Sequence, residues 1–275
     1  MSDSRRMTDF RKMTEKLSPY QGEPDVGDSL GRLISATNTK GNFLPIVLGR
    51  DESGSPLVAD LDDVSHLAVH RTSSCLIGRL IENIIYSLAM HRSPKRLRIL
   101  AIEDSQVELE LFSELPLLLP AEEDHEDLLK WLISLIEERQ RFFGIFGVTS
   151  LVGYDNLRMS GRVLDQSEPS DLCPHHHLLV IIPELYRVME PGRTSDFNRV
   201  LHASRACGIH LVVASIELKK LLGGDTMDLF PAKIHLNSNN DMGLNYQTWT
   251  TSKRGTLATA SPESIRDLVS KLAHL

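Results

Sequence analysis

The alternation of short apolar runs with longer segments of helical periodicity most constrains how this chain can fold. Apolar runs of strand length occur at residues 67–69, 97–102, 178–182, 209–214 and 232–236. The length of these mainly apolar runs, and the polar or charged residues at their C-terminal ends, are typical of strands buried on both faces of a parallel sheet. Apolar residues at helical spacing lie between or after these runs, at 76–88, 128–136, 198–207 and 262–272. Strands that alternate with helices predict a three-layer α/β domain built from right-handed βαβ units.

The first forty residues differ from the rest because they are polar and are interrupted by proline and glycine. We therefore expect an N-terminal arm or linker over residues 1–40, with a short helix at 28–36, and one domain over residues 41–275. Two apolar segments that begin at Pro45 and Pro56 flank the turn 51–54, and this pattern predicts a hairpin. Ser261 precedes Pro262 and is expected to cap the last helix.

Composition excludes several classes of protein. Apolar residues make up 41% of the chain and charged residues 24%, which is typical of a globular protein rather than a disordered one. A net charge of −7 argues against a surface that binds phosphate backbones throughout, although it allows a local basic patch. The three cysteines form no CxxC pair, and the sequence contains neither a signal peptide core nor a membrane-spanning run. We expect a cytoplasmic protein without membrane contacts.

The segment at 67–90 is the first place to look for a ligand, because ligands in such folds bind beyond the carboxyl ends of the strands. The P-loop template requires Gly, four residues, Gly, Lys, and then Ser or Thr. In this chain the template positions are occupied by Arg71, Thr72, Ser73, Ser74, Cys75, Leu76, Ile77 and Gly78. The lysine that binds the β- and γ-phosphates and the hydroxyl that binds Mg²⁺ are therefore both replaced.

Several segments, in order, resemble the motor domain of the FtsK/SpoIIIE family of DNA translocases. They are LPIVLGRD at 44–51 with VAD at 58–60, SHLAV at 65–69, the segment 108–116, GVTSLVGY at 147–154, and RACGIHLVVA at 205–214. The resemblance extends from about residue 28 to residue 258. It implies a RecA-like three-layer fold, with a mainly parallel sheet flanked by helices.

The resemblance also shows where this chain departs from the family. The Asp-Glu of the Walker B strand has become Pro183 and Glu184, and the Thr-Gln of the sensor loop has become Ser215 and Ile216. The Asp-Pro-Lys expected after the strand at 97–102 reads Glu-Asp-Ser at 103–105. With the P-loop changes, these replacements imply a pseudo-ATPase with no catalytic residues and no nucleotide or metal cofactor. We expect a structural or regulatory subunit.

The resemblance suggests a protein partner, such as an active ATPase or a DNA-processing complex, and a homo- or hetero-oligomer. One alternative is a DNA-binding accessory protein that uses Lys219 and Lys220. Others are a slow ATPase that depends on Glu184 and an adaptor domain of a secretion motor. Arg139 and Arg141 are candidates for an arginine that acts in a neighbouring subunit's site. The alternative is that both lie on a solvated helix face, where Glu137 and Arg141 form an ion pair.

A metal site is a further candidate, because Cys173 is followed by three consecutive histidines at 175–177. Consecutive residues entering a strand point to alternate faces, so the three histidines do not converge on one tetrahedral ion without another loop. We therefore expect a polar loop that leads into a strand.

Overall fold

The computed structural model describes residues 29–39, 43–70, 75–102, 109–119, 127–162, 176–189, 192–237 and 242–273. The helices are α1 (Ser29–Ala36), α2 (Leu61–Val64), α3 (Cys75–His91), α4 (Leu128–Ile145), α5 (Leu151–Met159), α6 (Thr194–Ser204), α7 (Leu218–Met227) and α8 (Pro262–Leu272). The strands are β1 (Pro45–Asp51), β2 (Pro56–Asp60), β3 (His66–His70), β4 (Leu97–Ala101), β5 (His177–Ile182), β6 (Ile209–Ser215), β7 (Ala232–Leu236), β8 (Gly243–Thr248) and β9 (Ser252–Leu257). Short 3₁₀ turns lie at Leu109–Phe112 and Leu185–Arg187.

The described strands form one nine-stranded sheet in the order β2-β1-β9-β8-β7-β3-β6-β5-β4. Parallel pairing joins β7, β3, β6, β5 and β4, as the buried apolar runs predicted. The predicted hairpin of β1 and β2 is confirmed. Strands β2, β1, β9 and β8 pair antiparallel and form what we call the antiparallel wing, which β8 joins to β7. The sheet is therefore mixed. Its parallel part contains β3, the strand that leads into the P-loop position.

Helices cover both faces of the sheet, and each face has its own hydrophobic core. Residues of α1, α3 and α8 share one core, whereas residues of α4, α5, α6 and α7 share the other. Side chains of β5 alternate between the two, since Leu179 and Ile181 lie in the first core and Leu178 and Val180 in the second. The predicted three-layer α/β class is confirmed.

Helix α1 confirms the short helix predicted within the N-terminal arm, and it packs against the domain. Leu30, Leu33 and Ile34 are buried in the first core. The Leu30 amide also donates a hydrogen bond of 3.0 Å to the Thr259 carbonyl oxygen. This part of the predicted arm of residues 1–40 is therefore an element of the core, because its apolar face is buried there. Residues 1–28 lie outside the described part.

Two helix termini show how local sequence sets the boundaries. The Ser261 hydroxyl accepts a hydrogen bond from the Ser264 amide at 3.1 Å, so the predicted cap of α8 is confirmed. Helix α6 begins and ends several residues earlier than the predicted 198–207. The chain turns at Gly208, where φ is 70°, and a Cβ atom there would lie 2.3 Å from Leu151 Cδ2.

None of the helices in the described ranges has both the length and the apolar composition that crossing a membrane requires.

Candidate functional site

The carboxyl ends of the parallel strands meet at one edge of the sheet, which we call the carboxyl edge. His70 ends β3 and lies in register with Ser215 at the end of β6 and with His235 on β7. The rings of His70 and His235 lie 5.6 Å apart between centroids. The P-loop position follows His70 directly, so the predicted site lies at this edge as expected for an α/β fold.

The P-loop position itself is described only in part. Arg71, Thr72, Ser73 and Ser74 lie outside the described residues, as does the side chain of Cys75, where α3 begins. The remaining three residues of the template belong to the first turns of that helix.

Ile77 occupies the template position of the P-loop lysine, and its side chain is packed in the hydrophobic core. It is fully buried, among the apolar side chains that α3 contributes to the first core. Leu76 is half-buried against the same core, and Gly78 is buried. None of these three residues has a side chain that supplies a cation or a hydroxyl to a phosphate at this turn.

The Walker B position lies at the end of β5, where Pro183 and Glu184 are both buried. Glu184 is 4% exposed and precedes the 3₁₀ turn Leu185–Arg187. Proline has no side-chain oxygen that could hold Mg²⁺, so of these two residues only Glu184 carries a carboxylate. At the sensor position, the buried Ser215 hydroxyl accepts a hydrogen bond of 3.4 Å from the Glu217 amide, and Ile216 is exposed.

The candidate DNA contacts follow the sensor position on α7. Lys219 is exposed, whereas Lys220 donates hydrogen bonds of 3.0 Å to both carboxylate oxygens of Glu217. The neighbouring carboxylate thus partly neutralises the lysine pair, and Lys219 is the cation that remains available to a ligand.

The suggestion that Arg139 acts in a neighbouring subunit is wrong, because its side chain lies inside the protein. Arg139 is 1% exposed and donates hydrogen bonds to the carbonyl oxygens of His176 at 2.8 Å and Cys207 at 2.7 Å. These bonds join α4 to the loops that lead into β5 and β6. A guanidinium held in this way stabilises the fold and does not extend to another subunit.

Arg141, the second candidate, is exposed on α4 and keeps that role as a prediction. Its Nε donates to the Glu137 carbonyl oxygen at 3.3 Å, while the Glu137 carboxylate pairs with Arg199 at 2.6 Å. The expected ion pair between Glu137 and Arg141 is therefore replaced by a contact between α4 and α6.

Sequence reasoning missed a group of buried histidines at the opposite edge of the parallel strands, the amino edge. His177 and His210 stack with their Nδ1 and Nε2 atoms 2.9 Å apart, and His210 Nδ1 lies 3.2 Å from the Ser65 carbonyl oxygen. His66 Nδ1 accepts from the Leu211 amide at 3.2 Å, and its Nε2 lies 3.0 Å from the Leu201 carbonyl oxygen.

These contacts define the protonation of the histidines. A carbonyl oxygen only accepts, so Nδ1 of His210 carries the proton and His177 donates to Nε2 of His210. Burial lowers the pKa of His66 to about 4 and that of His210 to about 3, and it also lowers the pKa of His177. The rings are therefore neutral at pH 7. The signal in the sequence was a histidine at the start of three buried strands.

The suggested metal site lies partly outside the described residues, which include neither Cys173 nor His175. Of its remaining members, His176 offers its carbonyl oxygen to Arg139, and His177 is stacked on His210. Within the described ranges no three His, Cys, Asp or Glu side chains are grouped so that they could hold a metal ion.

The model of the FtsK/SpoIIIE family matches residues 34–220, which is more than half of the sequence. The chain belongs to the FtsK/SpoIIIE family. It is 29% identical over 195 residues to the DNA translocase FtsK of Staphylococcus aureus strain Mu50, an alignment that covers 68% of this chain and 24% of that protein. It is 26% identical over 216 residues to the DNA translocase FtsK of Tropheryma whipplei, with coverage of 72% and 29%.

Solved structures show the same fold. The cytoplasmic domain of the type VII secretion ATPase EccC of Thermomonospora curvata superposes with a TM-score of 0.69 at 17% identity, over 95% of this chain and 34% of that one. The pCW3 conjugation coupling protein TcpA superposes with a TM-score of 0.57 at 16% identity, over 93% and 75%. This FtsK/SpoIIIE family member therefore has the RecA-like fold of P-loop ATPases. It spans about a quarter of the length of the FtsK proteins that it matches.

Proposed function

We propose that this FtsK/SpoIIIE family domain no longer hydrolyses nucleotide and acts as a structural or regulatory subunit that binds another protein, such as an active ATPase of the family or a DNA-processing complex. The observation that carries the proposal is the position of Ile77. The residue at the template position of the phosphate-binding lysine is part of the hydrophobic core. An apolar side chain packed there offers no charge to the β- and γ-phosphates.

The other replacements at the carboxyl edge also remove groups that nucleotide hydrolysis requires. Pro183 removes the carboxylate that would hold Mg²⁺, and Gly78 removes the hydroxyl that would share it. Phosphoryl transfer depends almost entirely on positioning and electrostatic stabilisation, so these losses affect the dominant contributions to catalysis. The core does not need the site, and the fold can therefore persist without the activity.

Thermal unfolding with and without millimolar ATP and Mg²⁺ tests whether the site still binds nucleotide. A ligand at one hundred times its Kd stabilises a protein by about 2.7 kcal/mol. For a chain of this size that corresponds to a shift of several degrees. We expect no shift. A clear rise in Tm would show that the turn still holds phosphate and would contradict the proposal.

A phosphate-release assay separates loss of hydrolysis from slow hydrolysis. We expect no release above the buffer rate for the unaltered chain. Turnover that disappears in Glu184→Gln but persists in the exposed control Glu138→Gln would contradict the proposal and establish the slow-ATPase alternative.

The protein-binding half of the proposal is tested with an active FtsK-family ATPase from the same genome. We expect the two proteins to co-elute on size-exclusion chromatography and the turnover of the active enzyme to change when this chain is added. If the two proteins do not co-elute at micromolar concentrations and the turnover does not change, this partner is excluded. The same pair of measurements would then be made with DNA-processing proteins.

Lys219 favours one alternative function, an accessory protein that binds DNA, because it is an exposed cation at the carboxyl edge. That function predicts an affinity for duplex DNA that falls steeply with salt. It also predicts that Lys219→Ala weakens binding and reduces the salt dependence, whereas Lys271→Ala on helix α8, which packs on the other face of the sheet, does not. An affinity that is insensitive to Lys219→Ala would remove this alternative.

A further inference from the structure

One face of strands β7, β8 and β9 lies outside both hydrophobic cores. The apolar side chains of these strands, among them Ile234, Tyr246 and Leu257, belong to the first core, and none of their described residues belongs to the second. Successive side chains of a strand point to opposite faces of the sheet, so the residues between them point away from the first core. We call the surface that these residues form the open face.

A row of polar side chains crosses the open face. Arg254 on β9 lies in register with Asn245 on β8, and Asn245 lies in register with His235 on β7. Paired residues on adjacent antiparallel strands have their Cβ atoms about 5 Å apart. Because adjacent strands are separated by about 4.8 Å, Arg254 and His235 flank Asn245 with roughly 10 Å between their backbones. We call these three residues the donor row.

Each side chain of the donor row offers a hydrogen-bond donor. Arg254 is exposed, and it makes no hydrogen bond or ion pair with a described residue. The Asn245 Oδ1 atom accepts from the Ser252 hydroxyl at 3.2 Å, so the nitrogen of this amide, which only donates, remains for a ligand. His235 is exposed and has one N–H when its ring is neutral. Donors that converge in this way favour a ligand that is rich in acceptor oxygens.

The open face carries more cations than carboxylates. Its strand positions include Lys233 on β7, Arg254 on β9 and the adjoining Arg50 on β1, whereas none of its described positions is an aspartate or a glutamate. Asp228, just after α7, pairs with Lys233 at 3.8 Å, and Glu52, in the turn after β1, forms no ion pair with a described residue. Three cations beside these two carboxylates leave the face positive.

The potential at His235 is positive as well. Burial, and then the proximity of His70 and Lys233, lower the pKa of His235. A positive potential opposes a cation at this ring, and it equally opposes a metal ion between His70 and His235, whose ring centroids lie 5.6 Å apart. The same potential favours an anion.

A single oxyanion fits the open face better than a chain of phosphates. Arg50 donates to the Gly54 carbonyl oxygen at 2.9 Å, and Lys233 is paired with Asp228, so within the described ranges Arg254 is the cation of this face without a partner. A nucleic acid backbone needs several cations that neutralise successive phosphates. One guanidinium with two further donors is sufficient for one phosphate group.

We propose that the donor row binds the phosphate group of a small ligand, which is inorganic phosphate or a phosphate monoester. The group lies over Asn245 and accepts from its amide nitrogen, from the Arg254 guanidinium on one side and from the His235 ring on the other. A tetrahedral oxyanion directs oxygens toward all three donors, whereas a carboxylate has only two oxygens in one plane. This binding requires neither nucleotide hydrolysis nor a protein partner, so it is independent of the proposed function.

Titration of the full ¹⁵N-labelled chain with sodium phosphate at pH 7.5, followed by NMR, tests the proposal in the absence of nucleotide. The side-chain N–H resonances of Asn245 and Arg254 report on the donor row directly. We expect them to shift with a saturable dependence on phosphate, and we expect sodium acetate and sodium chloride at the same ionic strength to bind at least fivefold more weakly. Phenyl phosphate distinguishes the two sources, because it binds at least as tightly as inorganic phosphate only if the row takes a monoester.

Variants of the open face locate the phosphate group. Asn245→Asp puts a carboxylate in place of the central donor with little change in shape, and we expect it to weaken phosphate binding about tenfold or more. Arg254→Gln removes the cation and should weaken binding about fivefold to tenfold. The matched control is Lys253→Gln, which removes another exposed cation from the preceding position of β9, on the opposite face, and should change the affinity less than twofold. Thermal unfolding of each variant verifies that the fold is retained.

Several results would overturn the proposal. They are shifts that grow alike with phosphate and chloride without saturation, equal affinity for phosphate and acetate, and equal weakening by Arg254→Gln and Lys253→Gln. Phosphate shifts confined to the amides of β3 and α3 would overturn it too, since they would place the ion at the P-loop position. A labelled 12-nucleotide oligo-dT that binds more than tenfold more tightly than phosphate, and loses this affinity in Arg254→Gln, would assign the open face to nucleic acid instead.

Discussion

The two edges of the same parallel strands use polar side chains in opposite ways. At the amino edge, His66, His177 and His210 are buried and hydrogen-bonded, and Arg139 joins two loops from inside the core. At the carboxyl edge, Ser215 and Glu184 are buried as well, but His235 and Lys219 are exposed, and Lys219 makes no hydrogen bond to a described residue. The comparison predicts that the fold depends more on polar residues before the strands than on those after them. Catalytic residues at the carboxyl edge can therefore change without loss of the structure.

The largest effect is expected at the amino edge from Arg139→Met. The substitution leaves the buried carbonyl oxygens of His176 and Cys207 without these donors, and it should lower the free energy of unfolding by roughly 3 kcal/mol or more. Urea unfolding followed by circular dichroism measures the change. The exposed Arg141→Met on the same helix is the control and should cost less than about 0.5 kcal/mol. Equal effects of the two substitutions would contradict the claim that the buried Arg139 stabilises the fold more than the exposed Arg141.

Ile77→Ala should have the next largest effect, because this position belongs to the core rather than to a phosphate site. We expect a loss of about 2–4 kcal/mol in the free energy of unfolding. The half-buried neighbour provides the matched control, and Leu76→Ala should cost clearly less. A loss below about 1 kcal/mol for Ile77→Ala would mean that the side chain is not packed as the structure has it.

The histidines of the amino edge should make stability depend on pH. Their folded pKa values, about 4 for His66 and about 3 for His210, lie below the ordinary value of 6.5. The unfolded chain therefore binds more protons below pH 6.5, and the stability that is complete above this pH is lost as the pH falls. The slope should reach about 1.4 kcal/mol per pH unit for each histidine.

Urea unfolding between pH 7.5 and 5 measures this dependence, and His210→Gln isolates one contribution to it. The variant should show a shallower slope than the unaltered chain, whatever its stability at pH 7.5. Identical slopes would mean that His210 is not held neutral by its contacts with His177 and Ser65.

The smallest effect is expected at the carboxyl edge from Lys219→Ala. The side chain is exposed and makes no hydrogen bond within the described residues, so the free energy of unfolding should change by less than about 0.5 kcal/mol. Chemical unfolding of the variant beside the unaltered chain is sufficient to test this. A loss above 1 kcal/mol would show that the carboxyl edge also stabilises the fold, and the contrast between the two edges would fail.

Much of the fold was predictable because its signals are local. Apolar runs marked β3 to β7, the turn at 51–54 marked the first hairpin, and Ser261 marked the start of α8. The strands β8 and β9 were not predicted, since they are half-exposed and carry polar residues at most positions. Their pairing with β7 and β1 comes from distant parts of the chain, which a local pattern does not encode.

The candidate site was predictable in position but not in the roles of all its residues. Spacing relative to strand β3 was sufficient to place Ile77 at the lysine position and the predicted site at the carboxyl edge. Arg139 looked like a surface residue because glutamate and glutamine flank it. Its burial depends on carbonyl oxygens that lie 37 and 68 residues farther along the chain.

By itself, the sequence determined the three-layer class and the family, and it predicts the loss of the P-loop lysine, because each of these follows from residue type at a fixed spacing. Only the tertiary structure decided which polar residues support the fold and which remain available to a ligand. His210 and Arg139 show the reason, since the hydrogen-bond partners of each come from separate segments of the chain. Burial and hydrogen bonding are properties of these assembled neighbourhoods, and they exist only after the segments have packed together.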